Sequence, residues 1–201
     1  MKKIVLATAN THKVIEFQRI LNELLPGLVL VKATDFPGVP EIEETGSTFA
    51  ENALIKAKAI NEFTNLPALA DDSGLVVDAL NGAPGVFSAR YAGIGASDKD
   101  NVLKLLSEIK DIEQSLLNAR FECAIALVDR SQNLELVVDG QMPGQVIKEI
   151  RGENGFGYDP IFVPQGLTKT SAELTDVEKD QISHRGLALR KMSVILKQLL
   201  G

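Results

Sequence analysis

The chain opens with a short apolar run, Ile4 to Thr8, and then changes period. Val14, Phe17, Leu21, Leu24 and Leu25 recur at the three- and four-residue steps that line one face of a helix. Pro26-Gly27 ends that helix, and Leu28 to Lys32 reads as a second strand. Strand, helix, strand is how an α/β fold begins.

The same reading carries along the rest of the chain. Phe36 to Gly46 is a loop rich in Pro, Gly and carboxylates. Thr48-x-x-Glu51 is a capping box, predicting a helix to about Phe63 with Phe49, Ala53, Ala57 and Ile60 on one face. Leu69 to Ala70 and Leu75 to Leu80 read as strands flanking Asp71-Asp72-Ser73-Gly74. Gly82 to Gly95 is a loop, and Ser97 caps a helix over Asp98 to Ile109. Phe121 to Asp129 and Leu134 to Gly140 make a hairpin around Ser131-Gln132-Asn133, with Val146 to Ile150 as a third strand. Gly152 to Pro160 is a glycine-rich loop and Ile161 to Val163 a short strand. Thr175-x-x-Glu178 is another capping box, and the chain finishes in a helix through Leu200. The expected architecture is a mixed sheet with helices on its faces. Without repeats or a long linker, the 201 residues read as one domain, 1–201, with two lobes.

Composition sets limits on function. A formal net charge of -6 argues against a protein that coats nucleic acid. It leaves a nucleotide substrate open, because a small phosphate ligand answers to local lysines and a metal. Cys123 is alone, which excludes an internal disulfide and a four-cysteine zinc site; its apolar neighbours suggest a buried structural thiol. The basic start at Lys2-Lys3 is followed by an apolar stretch that ends at Asn10, too short for a secretion signal. No run is long enough to span a membrane, so the expected location is cytoplasmic.

Several familiar motifs are absent. There is no G-x-x-x-x-G-K-[ST] loop, and Gly93-x-Gly95 lacks a third glycine at Asp98. Two histidines cannot make a three-histidine zinc site, and no G-x-S-x-G elbow surrounds Ser73. What remains is a set of polar clusters. Thr8-Ala9-Asn10-Thr11-His12-Lys13 opens the first helix, where free amides and a lysine suit phosphate; Asn10 could equally serve only as the cap. Asp71-Asp72 could hold magnesium with substrate oxygens, or the four residues could form an exposed turn. Glu41, Glu43 and Glu44 offer further carboxylates. Phe156-Gly157-Tyr158-Asp159 offers rings for stacking on a base, or rings packed in a core. His184 and Arg185 could reach base carbonyls or face solvent, and Lys56 and Lys179 are open in the same way.

Taken in order, these clusters resemble the inosine triphosphate pyrophosphatase family, also described as dITP/XTP pyrophosphatases. The resemblance runs from Leu6-Ala7-Thr8-x-Asn10-x-x-Lys13 through Glu43-Glu44-Thr45-Gly46-x-Thr48-Phe49-x-Glu51-Asn52-Ala53-x-x-Lys56-Ala57 to Ala70-Asp71-Asp72-Ser73-Gly74-Leu75. It continues through Gly82-Ala83-Pro84-Gly85-x-x-Ser88-Ala89-Arg90-Tyr91, the run Phe156 to Pro160, and Ser183-His184-Arg185. The resemblance implies an elongated mixed α/β fold, two lobes with a cleft between them, and a homodimer. It implies hydrolysis of ITP, dITP and XTP to monophosphate and pyrophosphate, with Mg2+ as cofactor and no nucleic acid or membrane partner. Carried over by position, Thr8, Ala9, Asn10, Thr11, His12 and Lys13 would hold the triphosphate, with Lys56 nearby. Glu44 and Asp72 would be the magnesium-linked carboxylates, Asp71 would assist, and Asp72 would accept the proton. Ser73, Phe156, Gly157, Tyr158, Asp159, Lys179, His184 and Arg185 match substrate-contacting positions. His12 departs from the pattern, since many members carry glycine or another small residue there.

Overall fold

In a computed structural model describing residues 3–200, the opening apolar run forms β1 (Lys3–Leu6), and the helical period that follows forms α1 (Thr11–Leu24). β1 is shorter than the apolar run. Ala7 N still donates to Leu69 O at 2.7 Å, but the Thr8 hydroxyl already accepts from Asn10 N, turning the chain toward the helix. The second predicted strand is β2 (Val29–Lys32), parallel to β1 with Lys3 opposite Val29 and Leu6 opposite Lys32. The capping box at Thr48 and Glu51 closes as expected and starts α2 (Phe49–Thr64).

Beyond α2 come β3 (Ala68–Val77), α3 (Asp98–Ile109), β4 (Asn118–Asp129), β5 (Leu134–Val146), β6 (Phe162–Pro164), α4 (Asp176–Ile182) and α5 (His184–Leu200). The strands are hydrogen-bonded in the order β2-β1-β3-β4-β5-β6. β1 is parallel to both β2 and β3, while β5 and β6 are antiparallel, so the sheet is mixed as expected. No helix among the described residues is long and apolar enough to cross a membrane.

The chain divides into two compact units. The first comprises Met1–Asp72, Cys123–Gly140 and Arg185–Gly201. Its core joins Ile4 and Leu6 of β1, Phe17, Ile20 and Leu21 of α1, Ile125 and Leu127 of β4, and Leu189, Met192 and Leu196 of α5. Cys123 lies in this core, where burial and nearby Asp71 push its thiol up to about 12, fitting the structural role expected of it. The second unit comprises Ser73–Glu122 and Gln141–His184. Leu75, Leu105, Ile109, Phe121, Met142, Ile161 and Phe162 form its core.

Four expectations need correction. Asp71 to Gly74 do not break the sheet: β3 runs continuously through them, because Asp71 meets Lys13 and Arg185 and its burial is therefore compensated. The strand stops at Val77, and Asp78–Leu80 is a 3-10 turn. Val146 to Ile150 is not a separate strand; β5 continues past Gly140 and ends at Val146. The final helix is two, separated at Ser183, whose extended backbone (φ -66°, ψ 149°) stops α4 and leads into α5.

Candidate active site

The start of α1 is built to present Lys13. Asn10 occupies the N-cap position, and its side chain accepts from Lys13 N at 3.1 Å. The capping reading of Asn10 therefore holds, with Ala9 to His12 exposed around the helix start and Thr8 half-buried. Lys13 Nζ reaches β3 and pairs with Asp71 Oδ2 at 2.9 Å.

Successive residues of a strand point to opposite faces, and the two aspartates meet different partners. Asp71 Oδ2 also accepts from Arg185 Nη2 at 3.1 Å and Nε at 3.4 Å, while Arg185 Nη1 pairs with Glu16. Asp72 Oδ2 accepts from Asn52 Nδ2 at 3.0 Å, and Asp72 Oδ1 lies 3.4 Å from Lys56 Nζ. The same ammonium meets Glu44 Oε1 at 2.5 Å. Asn52 and Lys56 stand one turn apart on α2, which places both on one face. Asn52 also holds the preceding loop, accepting from Gly46 N at 2.8 Å.

The electrostatics of the two carboxylates diverge. Burial alone would raise Asp71, but Lys13 and Arg185 outweigh it and hold the group well below the usual carboxylate range. For Asp72 burial wins: its pKa is raised, with Lys56 opposing the rise and Glu44 adding to it. Burial would lower Lys56, yet Asp72, Asp71 and Glu44 raise it on balance, so its ammonium stays charged. Arg185 behaves likewise: burial opposes its charge, while Glu16 and Asp71 more than restore it.

Glu44 and Asp72 already converge on one positive charge, and their oxygen donors are those a hard divalent cation selects. Among the described residues no group of three or more His, Cys, Asp or Glu side chains could hold a metal. Magnesium takes one or two carboxylates and completes its shell with water and phosphate oxygens, so this pair fits it. Beside them, Asp71 Oδ2 is engaged by two cationic side chains. Glu41 and Glu43 are exposed.

A second group of the expected residues gathers in the second unit. Asp159 Oδ2 accepts from Lys179 Nζ at 2.6 Å and from Phe156 N at 2.9 Å. The Lys179 ammonium lies 5.0 Å from the Phe156 ring centroid, a cation–π distance. Phe156 is half-buried, whereas Tyr158 is buried and its hydroxyl donates to Ser88 O at 2.9 Å. The two open readings of these rings thus divide, with Tyr158 serving the core. Gly157 N donates to Asp98 Oδ2 at 2.8 Å. His184 stacks on Phe121 with centroids 4.9 Å apart, and Ser73 is half-buried on β3.

Of the two readings open for Arg185, the solvent-facing one does not hold: the side chain is 1% exposed, between Glu16 and Asp71. Two members of the first group were missed in sequence, Glu16 and Asn52. Glu16 had a signal: three residues after Lys13 and four before Ile20, it interrupts the apolar face of α1 with a charge. Asn52 had only its one-turn spacing from Lys56.

Comparison with known proteins finds relatives along the whole length of the chain. The dITP/XTP pyrophosphatase of Streptomyces coelicolor is 49% identical over 201 residues, covering 100% of both chains. Among solved structures, a HAM1 protein from Coxiella burnetii matches with a TM-score of 0.88 at 47% identity, covering 98% of this chain and 100% of its own. The Staphylococcus aureus Ham1 protein matches with a TM-score of 0.87 at 40% identity, covering 98% and 99%. The Ham1 family model matches residues 4–195, and the chain belongs to the Ham1 family.

Proposed function

We propose that this chain hydrolyses non-standard purine nucleoside triphosphates (ITP, dITP and XTP) to the monophosphate and pyrophosphate. Such an activity removes these nucleotides before they enter DNA or RNA. The observation that carries the reading is the convergence of Glu44 and Asp72 on Lys56, beside an Asp71 held by Lys13 and Arg185. The family relationship supplies the substrate class.

Charge balance gives a physical reason for a metal. Where Glu44 and Asp72 meet Lys56, two carboxylates face one ammonium, which leaves one net negative charge among the three. A polyphosphate approaching that group is repelled unless a divalent cation reverses the sign. Glu44 and Asp72 would hold magnesium, which would supply that reversal and take up charge on the phosphate oxygens.

The side chains divide the remaining work. The amides at the start of α1, with Thr8 and Lys13, bind phosphate oxygens. Asp72 takes a proton from the water that attacks the α-phosphorus as the bond to the leaving pyrophosphate breaks. Lys56 stabilises the departing pyrophosphate. Phe156 offers a stacking face, and His184 a donor suited to the carbonyl at the purine 6-position, where adenine carries an amino group. Arg185, committed to Glu16 and Asp71, shapes the phosphate end instead.

Asp72→Asn tests the assignment. Turnover is expected to fall by about 10²–10⁴-fold, the usual contribution of a positioned base, with melting temperature and circular dichroism close to wild type. Near-normal pyrophosphate release from that variant would remove Asp72 from the chemistry.

A further inference from the structure

Four side chains of the first unit form a line of alternating charge: Glu16, Arg185, Asp71, Lys13. Three are almost wholly buried, with side-chain exposures of 8%, 1% and 0%, while Lys13 reaches 14%. The line therefore opens toward solvent at Lys13. Its two ends lie one turn apart on α1, so the contacts run from α1 to α5, on to β3 and back to α1.

Glu16 compensates the buried Arg185 charge, but stability alone does not require the pair to be ionic. A buried pair on an otherwise apolar helix face is often no more stable than a hydrophobic replacement of similar volume. Its effect lies in how Arg185 is shared. Asp71 Oδ2 is a common acceptor for Lys13 Nζ and for Arg185 Nη2 and Nε. By taking Nη1, Glu16 divides the guanidinium between two carboxylates and leaves Asp71 able to hold Lys13. Without that charge, Arg185 draws harder on Asp71, the hold on Lys13 loosens, and α1 loses a constraint on its rotation. That rotation also sets where the amides behind the Asn10 cap point.

We propose that Glu16 is a positioning residue for the triphosphate, acting through Arg185 and Asp71 on Lys13. This rests on the reading of Lys13 as a phosphate ligand. The test measures binding of inorganic tripolyphosphate to the full chain by calorimetry, with magnesium present. It compares wild type, Glu16→Gln, Lys13→Met and the double variant, with melting temperatures recorded alongside.

Glu16→Gln is expected to weaken tripolyphosphate binding by about tenfold, within the range of coupling between contacting residues. KM for dITP should rise by a similar factor, with a smaller change in kcat. In the Lys13→Met background the same substitution should have little further effect, because the group it positions is gone. Glu16→Asp keeps the charge with a shorter reach and should recover part of the loss; should Glu16→Gln not fold, Glu16→Asp carries the same cycle. Wild-type affinity in the Glu16 variant, or effects that simply add with Lys13→Met, would overturn the proposal. An unchanged affinity in Lys13→Met alone would instead overturn the phosphate reading beneath it.

Discussion

Asp71 binds two cationic side chains and Asp72 shares one with Glu44, although a single peptide bond separates the aspartates. The difference has a pH consequence. Asp71 has a folded-state pKa depressed below its unfolded value, so its contribution to stability is complete above the unfolded pKa, near 4. It is lost as pH falls through the lower, folded value. Asp71→Asn should therefore cost about 3–5 kcal/mol at neutral pH, the usual result of leaving buried partners uncompensated. The gap from wild type should begin to narrow below about pH 4, where the unfolded chain takes up a proton that folded Asp71 still refuses. Urea denaturation at pH 7 and pH 3 reads both; a gap that widens in acid would contradict the account. At this scale the sequence was informative about identity and silent about partners. Asp71 and Asp72 stand out as adjacent carboxylates after an apolar run. Their separate roles depend on Arg185, 114 positions away, and on Lys13 in another element. No local pattern carries that information.

Between the loop at Glu44 and the strand at Asp72, α2 acts as the bracket. Its capping box fixes where the helix starts, and from that start the one-turn spacing brings Asn52 and Lys56 onto the same face. Gly46 is the tight point of this assembly. A Cβ there would stand 2.7 Å from Asn52 Oδ1 and 2.7 Å from Glu51 Cβ, closer than side chains pack. Gly46→Ala should push Asn52 away from Asp72 and lower kcat about tenfold, with a stability loss of about 1–3 kcal/mol, typical of inserting one methyl into a packed site. Steady-state kinetics and thermal unfolding measure the two separately, and a variant that loses stability but keeps kcat would remove Asn52 from the support of Asp72. Helix starts were legible because Thr48, Ser97 and Thr175 each carry their partner three residues on. The continuity of β3 was not, because Asp, Ser and Gly favour turns until tertiary ion pairs override them. Nor was the break at Ser183, a residue whose intrinsic preference does not forbid helix.

Taken as a whole, the chain reads as α/β from its first thirty or so residues, and the mixed six-stranded sheet bears this out. The core of the first unit holds Phe17 and Leu21, which the helical period picked out, while Leu105 and Ile109 of α3, not singled out in the sequence, help fill the second. Glu44 and Asp72 converge on Lys56 with the oxygen donors that a hard divalent cation selects. The most direct measurement is therefore pyrophosphate release across purine and pyrimidine triphosphates, each with and without magnesium. The account predicts release of pyrophosphate and monophosphate from dITP, ITP and XTP, strongly dependent on the metal, with ATP, GTP and dTTP cleaved poorly. Preferred cleavage of ATP or dTTP, release of single phosphates in place of pyrophosphate, or equal turnover without a divalent cation would contradict it.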